Sequence, residues 1–420
     1  MAVAILYVAL ILPATLLPTL VMSELATNAP SWDGVWNNTT TAVAPPPGPN
    51  HTYQDPTYYS VNYRIIGTIF QGIIFSVGVL GNIMVVIVVM RTRSMHTPTN
   101  CYLVSLSVAD FMVLVASVPN EIISYYVLGD EWIWGRAGCA LFIFLQYLGI
   151  NASSLSITAF TVERYIAICL PMKAQTMCTV KRAKKIILGV WLFACSYCSP
   201  WLALTTTTAV YYKGHDNIET CTFALSRHHY RSYFFADIIL FYVVPLLLSC
   251  VLYGLMARVL FQSNFNSKAN GTTDSKKSSS NSSSRVQVVK MLFVVVAVFA
   301  TLWLPYRVLL VYNSFAEKRY MELWYLMFCK TMIFINSAIN PILYNAMSIK
   351  FRRAFKRMLS CGAARGSRDS RGGTERTVAG TYSSVVGGGS VRLNRSTFVA
   401  PAGKGSTSKN ALVDTSHQLV

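Results

Sequence analysis

Polar and charged residues stand inside or beside long apolar stretches of this sequence. The most distinctive groups are Glu163-Arg164-Tyr165 and Asn340-Pro341-Ile342-Leu343-Tyr344. Such side chains can pair charges and can donate or accept hydrogen bonds. Each costs about 2–3 kcal/mol or more in the middle of a bilayer unless it faces protein or water, so these residues are functional candidates. The sequence contains no paired catalytic groups, no metal-ligand spacing and no phosphate-binding loop, so we do not expect an enzyme.

The elements that position these groups are membrane helices. Hydrophobic residues make up 53% of the 420 positions, charged residues make up 13%, and the mean hydropathy is +0.43. A soluble domain of this size could not hide that much apolar surface. Long apolar runs without alternation indicate helices rather than a β-barrel, because a helix satisfies its own backbone groups in lipid. Runs of about 20 residues are long enough to span a bilayer. Seven such runs cover residues 65–90, 102–127, 139–169, 186–204, 234–261, 288–311 and 323–347.

The fold class predicted is therefore an all-α membrane protein with a seven-transmembrane helix bundle. A short amphipathic helix on the membrane surface follows the last span, and the insert between the fifth and sixth spans is expected to be disordered because it is polar and lacks an apolar face. The predicted segments are an extracellular segment at 1–63, the bundle at 64–347, the surface helix at 348–361, a disordered cytoplasmic tail at 362–420 and, within the bundle, the disordered insert at 263–284.

The positions of Lys and Arg predict the orientation of the bundle. Residues 1–63 contain neither type, whereas Arg91 and Arg93 follow the first run and four basic residues precede the fourth. Cytoplasmic loops carry the excess of basic residues, so the N-terminus is expected outside a multi-pass protein of the plasma membrane. The tail accounts for much of the net charge of +19. Basic groups beside a span indicate contact with anionic membrane lipids, and we do not expect a nucleic-acid partner.

The N-terminal segment carries signals for processing and glycosylation. Residues 2–22 form an apolar run broken by prolines, which indicates a cleaved signal peptide or, alternatively, an uncleaved eighth span. Both alternatives leave the same three glycosylation sequons outside the membrane. These sequons begin at Asn37, Asn38 and Asn50.

Three of the ten cysteines are distinguished by their positions. Cys139 begins the third run at its outer end, and Cys221 lies in the outer loop between the fourth and fifth runs. Both lie in an oxidising compartment, so a disulfide between them is predicted to hold that loop over the mouth of the bundle. Cys361 follows the amphipathic stretch, where palmitoylation would anchor the surface helix, and an unmodified thiol is the alternative.

Polar motifs in the seven runs resemble those of rhodopsin-like G-protein-coupled receptors. The resemblance covers about residues 64–360. A transporter is disfavoured because the sequence shows neither paired broken helices nor internal symmetry. The motifs that carry it are Gly81-Asn82, residues 106–110 ending in Asp110, Glu163-Arg164-Tyr165, Trp191, Pro245, Trp303-Leu304-Pro305 and Asn340-Pro341 with Tyr344.

This family resemblance implies a polar cluster at mid-depth in the bundle. Its members have short oxygen or amide side chains that suit a small cation such as an allosteric sodium ion, and a hydrogen-bonded water network is the alternative. We expect no other metal. The residues are Asp110, Ser153, Asn336, Ser337 and Asn340.

The resemblance also implies a two-state switch that couples to a heterotrimeric G protein. Glu163 is expected to hold Arg164 at rest, and outward movement of the sixth helix would release this arginine while Tyr253 and Tyr344 fill the gap. The sixth helix carries Arg285 where some relatives have an acid that locks this arginine, so an ionic lock between the two helices is not expected, and appreciable basal activity would be consistent with its absence. The remaining residues assigned to coupling and activation are Tyr165, Trp303, Asn340 and Pro341.

Longer strings resemble the thyrotropin-releasing hormone receptor family. They lie at 81–86, 97–106, 145–154, 241–245 and 303–307. Gln146 stands where amine receptors carry Asp, and Phe334 stands where opsins carry the retinal-linking Lys, so neither class is expected. The resemblance implies a short amidated neuropeptide ligand, Gq, phospholipase C and calcium release, with arrestin and receptor kinases as further partners. A receptor for a larger peptide or a lipid is the alternative.

The ligand pocket implied by this second resemblance has one substitution. Lys330 stands where the family has an arginine that helps to hold the ligand, and a lysine cannot reproduce the planar fork of that arginine. Alternatively, Lys330 extends outward to solvent, as long basic side chains near helix ends often do. The implied ligand-binding residues are Tyr147, Asn151, Tyr306, Arg307 and Lys330.

Overall fold

Seven helices in this computed structural model are long and apolar enough to cross a membrane. The structure describes residues 55–56, 58–215, 218–225, 227–269 and 275–366. The seven predicted spans are confirmed within one bundle, and we number them first to seventh in chain order. Their bounds are Val61–Arg91, Pro98–Ser124, Gly135–Cys169, Val180–Leu204, Tyr230–Gln262, Phe293–Phe315 and Leu323–Ala346.

Several spans begin at side chains that cap the free backbone N–H groups of a first turn. The Ser60 hydroxyl accepts from the backbone of Tyr63 at 3.3 Å. The Thr97 hydroxyl accepts from the Asn100 backbone at 3.3 Å, and Pro98 follows at the first helical position, where its missing N–H costs nothing. These local signals define where the first and second spans start.

Two prolines inside spans free carbonyl groups that neighbouring helices satisfy. Pro245 has no N–H for the Phe241 carbonyl four residues earlier, and a π-helical turn at Ile239–Val243 precedes it. Ser154 of the third span donates to that carbonyl at 2.5 Å. Pro341 likewise frees the Ser337 carbonyl, which accepts from Asn82 Nδ2 of the first span at 3.0 Å. Polar side chains thus hold the first span to the seventh and the third to the fifth.

Close packing joins the first, second and seventh spans at Gly78. A Cβ atom at this glycine would lie 2.5 Å from Leu114 Cδ1 and 2.8 Å from Ala338 Cβ. Small residues let helix backbones approach closely in a membrane, where packing rather than water exclusion drives association.

A β-hairpin covers one end of the bundle, which we call the hairpin end. Strand β1 spans Thr205–Val210 and strand β2 spans Ile218–Phe223, and they pair antiparallel from Thr205 opposite Phe223 to Val210 opposite Ile218. The predicted disulfide is confirmed: Cys221 of β2 is bonded to Cys139 of the third span, with a Cα–Cα distance of 5.6 Å. An exclusively helical prediction omitted this hairpin, although a run of four threonines favours a strand.

The helices that flank the insert between the fifth and sixth spans are longer than expected. One helix continues as Val244–Ala269 and the next begins as Ser275–Phe315, so the prediction of disorder throughout 263–284 is wrong for the helical parts. Extending an existing helix adds one hydrogen bond per residue without a new nucleation step, so polar residues can join it.

Shorter helices complete the described chain. The predicted surface helix is present, and its first turn is fixed by Phe351, which is buried beside Tyr344 with ring centroids 6.4 Å apart. This surface helix is Ile349–Gly366, and the short helices between spans are Arg93–Met95, Leu128–Asp130 and Pro171–Met177. Trp201–Leu204 forms the last turn of the fourth span, and Arg227–Ile238 leads into the fifth.

Candidate functional site

A cavity of about 430 Å³ lies beneath the hairpin. Cys221 and Phe223 of β2 form part of its wall. The rest comes from the second, third, fifth, sixth and seventh spans, from Tyr59 before the first span and from the segment 130–134 between the second and third spans. Four of the five predicted ligand residues line it, together with Trp303 from the predicted activation set. These four are Tyr147, Tyr306, Arg307 and Lys330.

Tyr147 and Asn151 lie one turn apart on the third span but have different surroundings. The Tyr147 ring stacks on Trp201, with centroids 4.6 Å apart, and lines the cavity. Asn151 is fully buried and donates to Cys198 Sγ at 3.4 Å, while its Oδ1 atom has no partner among the described residues. The structure therefore places Asn151 behind the cavity wall, against the fourth span.

Lys330 points across the bundle to an acid on the second span. Its Nζ atom lies 2.8 Å from Glu121 Oε1 and 2.7 Å from Oε2. Tyr125 also donates to Oε1 at 3.3 Å. Burial, as the larger cause, and the nearby Glu121 charge, as the smaller one, raise the pKa of Tyr125, so its hydroxyl stays protonated. This contact excludes the alternative in which Lys330 only extends to solvent.

Arg307 makes a second ion pair in the cavity wall. Its Nη1 atom donates to Asp237 Oδ2 at 2.7 Å, and the two side chains are only 6% and 3% exposed. The guanidinium also lies over Trp303, with Cζ 4.9 Å from the ring centroid. Asp237 Oδ1 and Arg307 Nε have no partner among the described residues, so this pair retains hydrogen-bonding capacity.

Tyr59 closes one side of the cavity just before the first span. It donates to Asp130 Oδ1 at 2.8 Å and stacks on Tyr63 with ring centroids 4.9 Å apart. Burial, and then the Asp130 charge, raise the pKa of Tyr59, so this hydroxyl remains a donor. The hydrogen bond fixes the start of the first span to the short helix Leu128–Asp130.

A polar cluster surrounds Asp110 in the middle of the bundle. Asp110 is fully buried and accepts from Ser153 Oγ at 3.1 Å and from Asn340 Nδ2 at 2.7 Å. Ser337 is buried beside the same carboxylate, and Asn336 is buried next to it in the chain. Asp110 has no basic partner among the described residues. Within the residues that the structure describes, no group of three or more His, Cys, Asp or Glu side chains could hold a metal ion.

Arg164 lies at the end of the bundle opposite the hairpin. Its Nη2 atom is 3.1 Å from Glu163 Oε1, and Glu163 is 7% exposed. Tyr165, the third member of this motif, is half-buried. Arg164 Nε and Glu163 Oε2 have no partner among the described residues, so the pair is held by one contact.

The two tyrosines assigned to the switch are both buried. Tyr253 Oη lies 3.3 Å from Thr161 Oγ1 of the third span, and Tyr344 has no hydrogen-bond partner for its hydroxyl in the described chain. The side chain of Arg285 lies outside the described residues, as do the side chain of Cys361 and all of Asn37, Asn38 and Asn50.

Known proteins share this architecture. The sequence profile of the "7 transmembrane receptor (rhodopsin family)" matches residues 81–344. The chain belongs to the rhodopsin family of seven-transmembrane receptors. Thyrotropin-releasing hormone receptors of Ovis aries and Homo sapiens are each 48% identical to this rhodopsin-family receptor in an alignment of 332 positions that covers 74% of this chain and 82% of theirs. Neuromedin-U receptor 2 of Rattus norvegicus is 34% identical in an alignment of 303 positions that covers 70% of this chain and 75% of that protein. These relatives are receptors and not enzymes.

Sequence reasoning missed Glu121 and Asp237, the acids that pair with the two cations of this receptor's cavity. Both acids fall inside runs predicted to span the membrane, at 102–127 and 234–261. An ionisable residue within a span is a functional candidate by default, so the signal was present in the sequence. What the sequence could not show is which base each acid meets, because the partners lie 209 and 70 residues away.

Proposed function

We propose that this rhodopsin-family receptor binds a short amidated peptide resembling thyrotropin-releasing hormone. The observation that carries the proposal is the cavity beneath the hairpin, whose lining brings together Tyr147, Tyr306, Arg307 and Lys330 from three spans. Relatives at 48% identity are receptors named for that hormone. Aromatic rings with a few converging polar groups are the usual composition of a small-ligand site.

The size of the cavity favours a short ligand over a large one. Small-molecule sites enclose roughly 300–1,000 Å³, and the cavity of about 430 Å³ falls near the lower end of that range. A larger peptide would have to make most of its contacts above the hairpin.

We infer that the hairpin end faces outward and that the Arg164 end meets the G protein. Four basic residues in the first turns of the fourth span, at positions 181, 182, 184 and 185, support this orientation. In the proposed cycle, ligand in the cavity favours a bundle in which Arg164 leaves Glu163 and engages a Gq-class protein, leading to phospholipase C activity and calcium release. Arrestin and receptor kinases act on the same active state.

We also propose that the receptor carries sugars at the N-terminal sequons and a palmitoyl group at Cys361.

The Asp110 cluster fits a sodium ion. Its carboxylate is buried without a basic partner in the described chain, and the hydroxyl groups of Ser153 and Ser337 supply neutral oxygens of the kind that hard cations prefer. Such an ion would supply the positive charge that the described residues do not provide there. Asn340 ties the cluster to the seventh span, so binding of the ion would stabilise one arrangement of this helix.

The proposed function is tested in cells that express the full receptor. Thyrotropin-releasing hormone should raise inositol phosphates and calcium, and a Gq inhibitor should abolish both responses. Arg164→Ala is the matched control, because it should remove signalling while the receptor still binds labelled hormone at the cell surface. Calcium release with larger peptides or lipids but not with this hormone would assign the receptor to the other ligand class.

A further inference from the structure

Glu121 is a charged residue of the cavity lining that is not among the proposed ligand-binding residues. It lies on the second span, is 15% exposed, and contacts Lys330 through both carboxylate oxygens at 2.8 and 2.7 Å. The Lys330 side chain is 43% exposed, and both residues line the cavity. The pair is therefore open to a ligand rather than sealed inside the protein.

The geometry of this pair leaves a donor beside an acceptor. An ammonium group has three hydrogens. Two point to Glu121, and the third has no partner among the described residues. Glu121 Oε1 accepts from Lys330 and Tyr125, whereas Oε2 accepts from Lys330 alone among the described residues, which leaves it a lone pair without a donor there. A ligand group with one acceptor and one donor side by side matches this arrangement.

A second unpartnered group lies one turn away on the same helix face. Ser117 precedes Glu121 by four residues, lines the cavity and is 7% exposed, and its Oγ atom has no partner among the described residues. Burying a hydroxyl group without a partner is unfavourable, so Ser117 also indicates a polar ligand group at this wall.

The charges of the cavity disfavour a ligand carboxylate. Its described lining contains two bases, Arg307 and Lys330, and four acids, Glu121, Asp130, Glu131 and Asp237. Each base is already paired with an acid at 2.7 Å. The cavity therefore offers no unneutralised cation among the described residues, and its formal charge is negative.

We propose that Glu121 is a specificity-determining residue that selects a ligand with a primary carboxamide over the same ligand with a free carboxylate. This inference rests on the proposed function, and it names Glu121 as the residue that makes the receptor prefer an amidated ligand over its free acid. Lys330 donates to the carbonyl oxygen of the carboxamide, and Glu121 Oε2 accepts from its NH₂ group. A carboxylate would place a second negative oxygen against Glu121, a like-charge contact that interfaces use to reject wrong partners.

The test compares two probes on full-length receptor: thyrotropin-releasing hormone and its free-acid form. The measured quantity is the ratio of their potencies in calcium release, checked by displacement of labelled hormone at the cell surface. Glu121→Gln keeps the shape of the side chain and removes its charge. We expect this variant to lower the preference for the amide by about tenfold or more, mainly because the acid gains potency.

Two further variants separate the local contact from a general charge effect. Glu131→Gln makes the same charge change elsewhere in the cavity wall and should alter the ratio by less than about threefold, as expected of a single partly exposed charge. Lys330→Gln leaves Glu121 without its counter-charge and should raise the preference for the amide. If Glu121→Gln does not reach the surface, the double variant Glu121→Gln with Lys330→Gln decides the question: it removes both charges of the pair and should lower the preference for the amide relative to Lys330→Gln alone.

The outcomes distinguish this inference from the proposed function. An unchanged ratio in Glu121→Gln, an equal shift in Glu131→Gln, or equal potency of both probes on the wild type would overturn the role of Glu121 and leave the peptide receptor in place. A wild-type receptor that responds to neither probe would overturn the proposed ligand class, and the inference with it.

Discussion

Replacing Asp237 with Ala should destabilise the receptor strongly. The change leaves the Arg307 guanidinium, only 6% exposed, without its carboxylate partner. Removing one member of a buried ion pair costs about 3–5 kcal/mol, because the remaining charge is uncompensated. The contact between Arg307 and the Trp303 ring exists already in the native protein and cannot replace the carboxylate. At about 2 °C for each kcal/mol, the apparent melting temperature should fall by about 6–10 °C.

Thermal unfolding of detergent-solubilised receptor measures this effect. Asp55→Ala is the matched control, because Asp55 pairs with Lys213 at 2.8 Å but the two side chains are 79% and 62% exposed. An exposed pair contributes little, so the control should melt like the wild type. Asp237→Leu combined with Arg307→Met should recover most of the lost stability, since it removes both charges. An Asp237→Ala receptor as stable as the control would refute the reasoning.

Three further perturbations follow from the disulfide, the Asp110 cluster and the Arg164 pair. Cys139→Ser or Cys221→Ser should sharply reduce surface expression or hormone affinity, because the hairpin loses its covalent tether; unchanged binding in both variants would contradict this. Asp110→Asn should abolish the sodium dependence of agonist affinity, since the only carboxylate of the cluster is gone; a wild type insensitive to sodium would leave only the water network. Arg164→Ala should eliminate inositol phosphate production in a cell assay while hormone binding persists, and signalling carried by Gi without phospholipase activity would overturn the proposed coupling to Gq.

The elements of the bundle were predictable because their signals are local. Span length and hydropathy predicted all seven helices, and the compartment of Cys139 and Cys221 predicted the disulfide. Helix ends were harder to predict. The helices on either side of the insert continue into polar sequence, where composition alone favours disorder.

The partners inside the cavity were not predictable from local signals. Lys330 was expected at the ligand, but nothing in its neighbourhood of the sequence indicates Glu121 on another helix. Asn151 shares a helix face with Tyr147, yet contact with Cys198 places it behind the cavity wall. Helical spacing shows which residues share a face, whereas the partner of each depends on how seven helices pack.

The π-helical turn at Ile239–Val243 sets the rotational phase of the fifth span. Asp237 before the turn meets Arg307, and Tyr253 after it meets Thr161. In a regular helix with about 100° per residue, the sixteen steps from Asp237 to Tyr253 would place these side chains about 160° apart. One extra residue accommodated in the wide turn reduces the difference to about 60°. Point substitutions within Ile239–Val243 should therefore be tolerated more readily than a single-residue deletion, which would turn one half of the span away from its partners.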